Sequence, residues 1–386
     1  MTQAVEKNAN QHGLAIQRLT ANDFGHLAEA WGLLLENSEA DPLFMSWPWL
    51  YSWWEVWGER LGLELALFGV YLDGDRLVGL APFYRHEFRS PVGLRLHRLH
   101  IIGNAWRIRG TVRTEYSGVI SEKGLESSVT QLVLSEVSRL SWDEFVVCDQ
   151  SFPELLRWQE IFDQSAIRVR SVPRMVDVGV RVCVGDEFDQ WLKELGPNTR
   201  LKVYNRRRYL AQRGTLQLRQ VDASQAAVFL EQLNGFHRRR WGKPCFDQQA
   251  VVFHQKLISR LAEGQLALTA LEYSGETVSV LYDIRAGQCR YNLQAGYIED
   301  LDPKVALGTL HLGYAIEDSF RDPGITHYDL LAGYGKNSFY KTHFRGEAVD
   351  FVTIQFARNP VMRGIYWLQS GLPTGMRKSI NRLVRL

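Results

Sequence analysis

The chain has 386 residues, of which 45% are hydrophobic and 23% charged, and a net charge of +2. Length sets a prior of roughly two to three domains, and this balance describes a chain with a real core rather than a disordered or collagen-like one. Four scattered cysteines without a CxxC pair argue against a disulfide framework or a zinc site, and no metal is expected.

The first residues, 1–13, are polar and lack the apolar stretch of a secretory signal, so they read as a disordered N-terminus. No apolar run reaches the ~18 residues needed to cross a bilayer. Together with the cysteine usage this gives a cytoplasmic expectation, either soluble or peripheral to the inner face of a membrane. The stretch 14–19 reads as a strand, and Asn22 or Asp23 is the expected cap of a helix running to about Glu36. Five of the twelve tryptophans then fall within eleven residues, at Trp47, Trp49, Trp53, Trp54 and Trp57. Spacings such as Leu50, Trp53, Trp54 and Trp57 favour the buried stripe of a helix over a platform for sugar rings. A hairpin pattern at 65–83, a strand at 94–104, a helix at 125–140 and a strand opening at 144 follow.

The second half repeats this order: strand 216–221, helices 224–240 and 249–262, hairpin 266–284, strand 289–295, helix 308–320 and strand 326–331. The two hairpins align without a gap at an offset of 201, with Leu65-Ala66-Leu67 over Leu266-Ala267-Leu268 and Gly74 over Gly275. The strands at 14 and 216 match at an offset of 202. Both halves therefore read β-α-α-β-β-β-α-β, an α/β (α+β) fold with a mixed, antiparallel-centred sheet. The expected division is 14–175 and 176–358, followed by a basic amphipathic tail at 359–386.

Four segments carry a family resemblance: TRLKVYNRRRYLAQRG (199–214), FHRRRWGK (236–243), AGYIEDLDPKVALGTLHL (295–312) and HYDLLAGYGKNSFYKTHF (327–344). With the element order, they resemble the GNAT fold of N-acetyltransferases in duplicate, and in particular the CelD-like group tied to cellulose and exopolysaccharide biosynthesis. That group is distantly similar to the Fem peptidyltransferases. The resemblance implies two tandem GNAT-like domains, the second an acyltransferase that uses acetyl-CoA or another acyl-CoA on an amine or sugar-linked acceptor. One departure stands out: Ala306-Leu307 precedes Gly308 where the group usually has Ser-Pro.

Such a transferase must hold a thioester donor, present a deprotonated nucleophile and protonate the leaving thiolate. Leu307, Gly308 and Thr309 are the expected cofactor-binding loop, because a helix N-terminus offers unpaired N–H groups to a pyrophosphate; the plain alternative is that they only start a helix. Lys341 is a candidate to hold a phosphate as a point charge, or is simply exposed. Tyr340, then Tyr334, are candidate general acids. Asp283 and Asp329 interrupt apolar strands and are candidate bases if burial raises their pKa, or are paired with arginines. Ordered water is a further route for the proton.

Six Lys or Arg and no acid lie between Arg200 and Arg213, and His237-Arg238-Arg239-Arg240 forms a second basic block. These blocks are solvated faces or grip an anionic ligand, RNA included. In the tail, Met376, Ile380, Leu383 and Val384 sit at helical spacing among basic residues, a pattern for an anionic membrane surface or for docking on the chain itself. Two other functions stay open: a Fem-like transferase using aminoacyl-tRNA, and a non-catalytic scaffold. The sequence lacks GxSxG and HExxH, which argues against the corresponding hydrolases and metalloenzymes.

Overall fold

The computed structural model describes residues 13–89, 93–185, 187–333 and 341–372. In chain order it forms β1 (Leu14–Leu19), α1 (Ala21–His26), α2 (Ala28–Glu36), α3 (Trp47–Trp57), β2 (Glu64–Leu72), β3 (Arg76–Arg89), β4 (Arg95–Ile101), β5 (Ile120–Ser121), α4 (Glu126–Arg139), β6 (Glu144–Ser151) and α5 (Phe152–Gln164). Then come β7 (Arg170–Cys183), α6 (Phe188–Glu194), α7 (Pro197–Arg200), a π-helical turn (Leu201–Asn205), α8 (Arg206–Ala211), β8 (Leu216–Val221), α9 (Ala226–Trp241) and α10 (Gln248–Ile258). The chain closes through β9 (Leu266–Tyr273), β10 (Glu276–Ala286), β11 (Cys289–Tyr297), α11 (Leu307–Arg321), β12 (His327–Ala332), β13 (Glu347–Ala357) and α12 (Pro360–Ser370).

These elements form two compact units: residues up to Val176 with those from Phe351 on, and Asp177–Asp350. Residues 351–358, expected in the second domain, lie in and just after β13, which runs antiparallel to β6 with Phe356 opposite Phe145. Among the described residues, no helix is long and apolar enough to cross a membrane. The tail pattern from Met376 onward lies outside the described residues.

The first unit orders its strands β1-β2-β3-β4-β6-β13, with β5 paired to β3. Its main core, including Phe83, Leu99, Phe145, Trp158 and Phe356, lies where α4 and α5 cover one sheet face. The tryptophan segment is helix α3, and Trp49, Leu50, Trp53 and Trp57 are buried along it. Thr20, rather than Asn22 or Asp23, caps α1: its hydroxyl accepts from the Asp23 N–H while the Asp23 carboxylate accepts from the Thr20 N–H, a reciprocal capping box.

The second unit repeats the plan as β8-β9-β10-β11-β12, with β7 added against β12. The duplicated turns share their backbone sign pattern, although Leu72 pairs with Arg76 across three residues and Tyr273 pairs with Glu276 across two. Asp73 and Gly74 have φ of 53° and 95°, and Ser274 and Gly275 have 51° and 86°. Two consecutive positive φ values are what the two-residue turn at Ser274-Gly275 demands, and the first hairpin keeps them with one residue more. Register repeats too, with Leu14 opposite Leu72 and Leu216 opposite Tyr273.

Candidate functional site

Three features meet at the start of α11. β11 pairs in parallel with β12 only from Cys289–Tyr291 against His327–Asp329, then runs on to Tyr297. Against β10 the register slips between Tyr282 and Asp283, which leaves Leu293 as an extra residue. Such a bulge bends a strand and re-aims its neighbours. The chain then turns into α11 at Leu307, where Ala306 is the cap residue and supplies no side-chain hydrogen bond. The first N–H groups of the helix therefore need partners from outside it.

Gly308 sits against an aromatic wall. A Cβ there would lie 2.4 Å from Cε1 of Tyr297, so any other residue would push the ring aside. One turn further, a Cβ on Gly313 would lie 2.2 Å from the Val203 carbonyl oxygen. That contact seats the π-helical turn on α11, and π turns recur at functional sites. The turn presents Lys202 to a cavity of about 390 Å³ lined by Gly196, Pro197, Asn198, Thr199, Lys202, Thr309, His343 and Phe344. Thr309, the third residue of the expected cofactor loop, thus faces a pocket with one lysine and several small polar groups.

Below the helix start lies a buried polar chain that sequence reasoning missed. His311 bonds Thr269 Oγ1 through Nε2 and Ser279 Oγ through Nδ1, both at 2.9 Å. Ser279 donates onward to the Gly296 carbonyl at 3.1 Å. Ser279 must then accept from Nδ1–H, and Nε2 accepts from Thr269. This is the neutral ring, in keeping with a pKa pushed down to about 3 by burial and then by the Arg290 charge. The chain pins α11 to β9, β10 and the bulged β11.

Asp283 and Asp329 are both fully buried. Asp283 accepts from Arg290 Nε at 2.7 Å, Asn292 Nδ2 at 2.8 Å and the Tyr328 hydroxyl at 3.0 Å. Burial raises its carboxyl, and Arg290 opposes that rise most strongly, followed by the other donors. The second side of the Arg290 guanidinium binds Asp318 at 2.7 Å. Asp329 accepts from Arg181 Nε at 3.2 Å and from the Leu331 N–H at 2.7 Å. Both carboxylates are thus engaged with arginines. Lys341 is buried, and its ammonium donates to the carbonyls of Leu330, Leu331 and Ala332 at 2.6, 2.9 and 2.9 Å. It clamps the end of β12, a role different from a phosphate contact. Tyr334 and Tyr340 lie outside the described residues.

Lys202 lies in the basic block between Arg200 and Arg213, and His311 and His343 lie in the segments that carry the resemblance, but none of them stands out as a site residue, nor does Thr269 or Ser279. His311 falls on the buried stripe of a predicted helix, where a lone polar residue demands partners, and that was the available signal.

The family model of the acetyltransferase (GNAT) domain matches residues 197–342, the span that holds this geometry. No curated protein matches the sequence. Among solved structures, FemX is similar over 92% of this chain and 99% of its own, at 11% identity and a TM-score of 0.59. L-PGS from Bacillus licheniformis is similar over 92% and 96%, at 11% identity and 0.50. The C-terminal domain of a protein assigned as a lysylphosphatidylglycerol synthetase from Agrobacterium fabrum covers 90% and 96%, at 9% identity and 0.50. At such identities the likeness is one of fold. Residues 197–342 in the second unit match the acetyltransferase (GNAT) domain family, and the chain as a whole shares the fold of FemX.

Proposed function

We propose that the second unit binds an acyl-CoA and transfers the acyl group to an amine or sugar-linked amine, with a place in envelope or exopolysaccharide biosynthesis. The carrying observation is the start of α11. Its first N–H groups have no side-chain cap, Gly308 lets the helix start pack against Tyr297, and the adjoining cavity adds Lys202 and Thr309. This suits a pyrophosphate, with the dipole and N–H groups of the helix as its main hold. The edge of β11 beyond Tyr291 is the natural line for the donor's amide arm.

In this reading the acceptor nitrogen attacks the thioester carbonyl, the C–S bond breaks, and Tyr340 gives the thiolate its proton. Asp283 and Asp329, held by arginines, act by positioning Tyr328 and Leu331, and water carries away the proton of the acceptor. Alignment of the two reactants supplies much of the acceleration.

Thermal shift with acyl-CoAs of increasing chain length tests the donor. Saturation at a hundred times Kd should add about 2.7 kcal/mol, and Gly308→Ala should abolish the gain. No shift with any thioester would refute the reading. The second reading, an aminoacyl-tRNA donor, is favoured by the basic segment 199–214, and salt-sensitive RNA binding would support it.

A further inference from the structure

Among the described residues of the first unit, three arginines carry positive charge that neighbouring carboxylates do not balance. Arg98 on β4 is 1% exposed and gives Nε to Glu144 at 2.7 Å. Its Nη1 and Nη2 are buried with no hydrogen-bond partner. Arg174 on β7 gives Nε to Gln355 at 2.7 Å, while its buried Nη2 and the Nε2 of Gln355 have none. Arg107 is exposed on the loop after β4 and has a left-handed φ of 59°, a strained state for a non-glycine residue.

Like charges weigh on the outer two: Arg107, which keeps an exposed edge, is lowered to about 10 by partial burial first and then by Arg174 and Arg98, and Arg174 is lowered chiefly by burial, with Arg98 adding to it. Glu144 is the one carboxylate bound to this group among the described residues, and it also accepts from the Tyr366 hydroxyl. Burial and then the Arg98 charge push His86 and His100 down, so both rings are neutral near pH 7. An excess of about two positive charges is left. Buried unpaired guanidinium N–H groups are costly, and their presence signals a missing partner.

Each guanidinium is also stacked on a ring: Arg98 on Phe88 at 3.9 Å, Arg107 on Trp106 at 4.3 Å and Arg174 on Tyr366 at 4.6 Å. Stacking fixes the plane and leaves the N–H edges to bind. We infer that the first unit holds an arginine-built oxyanion site for the phosphate or diphosphate group of a small molecule, made by the unpaired N–H edges of Arg98 and Arg174, which Glu144 and Tyr366 bring together, with Arg107 beside them. A dianion matches the charge excess, whereas a single carboxylate would leave half of it uncompensated. The inference is independent of the donor site on α11.

The test is calorimetry and thermal shift with sodium pyrophosphate and with inorganic phosphate, against sodium chloride of equal ionic strength. The wild-type protein should bind pyrophosphate and melt higher. Arg107→Gly, which also relieves the left-handed strain and so should fold, and Arg174→Gln should each weaken binding at least about tenfold. Arg219→Gln on β8, whose guanidinium pairs with Glu272 outside either proposed site, should leave pyrophosphate binding unchanged. Absence of a shift beyond the chloride control would overturn the site. So would equal binding by Arg107→Gly and wild type, or loss in Gly308→Ala alone, which would place the ion at α11.

Discussion

Lys341 reaches back to Leu331, whose carbonyl accepts from its ammonium at 2.9 Å. Leu331 has a φ of 59° and its N–H is held by Asp329 at 2.7 Å. That left-handed turn gathers the Leu330, Leu331 and Ala332 carbonyls around one ammonium. Asp329, Leu331 and Lys341 therefore form one device that fixes the end of β12 to the residue just after Tyr340. Replacing Lys341 by Met should strand these acceptors and cost about 1–3 kcal/mol, read as a lower melting temperature. Lys341→Arg should fail to restore it, because a planar guanidinium cannot point three donors at one convergent set. Full rescue by arginine would contradict the clamp.

The two glycines of α11 should respond differently to alanine. At Gly308 the obstacle is the Tyr297 ring, 2.4 Å from the added Cβ, and a ring can move. At Gly313 it is the Val203 carbonyl oxygen, which belongs to backbone. Gly313→Ala should cost the more, about 3 kcal/mol against about 1 for Gly308→Ala. Combining Gly308→Ala with Tyr297→Leu should recover stability, with a coupling of about 0.5–3 kcal/mol in a double-mutant cycle. Additive losses would mean that the ring is not the obstacle.

The duplication was legible because it rests on local chemistry. A turn that needs two positive φ values selects residues such as Asp73-Gly74 and Ser274-Gly275, and alternating apolar strands flank it. Helix α11 was legible from periodicity to within a residue at each end. The strands β7 and β13, and the helices α5 and α12, were not. The ladder from Phe351 to Ala357 against β6 joins residues some two hundred positions apart, and no local spacing encodes such a pairing. The π turn is set by its contact with Gly313, and the Lys341 clamp by carbonyls that a sequence does not display. Arg98 and Arg290 looked like any other arginines, since burial is a tertiary property.

Asp283→Asn distinguishes a structural carboxylate from a proton acceptor. The amide nitrogen would face donors on every side, and Arg290, 1% exposed, would lose the fully buried one of its two counter-charges, Asp283 and Asp318. Breaking such a buried pair should cost about 3–5 kcal/mol. Thermal melts should therefore show a large loss, with residual acyl transfer scaling with the folded fraction. An unchanged melting temperature with abolished turnover would instead make Asp283 the base.

Acid sensitivity should trace in part to His311. Its native pKa is pushed down to about 3, against an unperturbed value near 6.5. Between those values the unfolded chain takes up a proton that the native ring refuses, so stability falls as pH drops through that window. His254, buried beside Tyr282 and likewise lowered to about 3, adds a second such proton. Each contributes a slope of up to ~1.4 kcal/mol per pH unit. Urea unfolding at a series of pH values from 6.5 to 4.5 should show His311→Asn with a slope shallower by about one proton, whatever its loss at neutral pH. Parallel slopes for variant and wild type would mean that the ring titrates alike in both states, and the Thr269-His311-Ser279 chain would not be the neutral relay that its geometry describes.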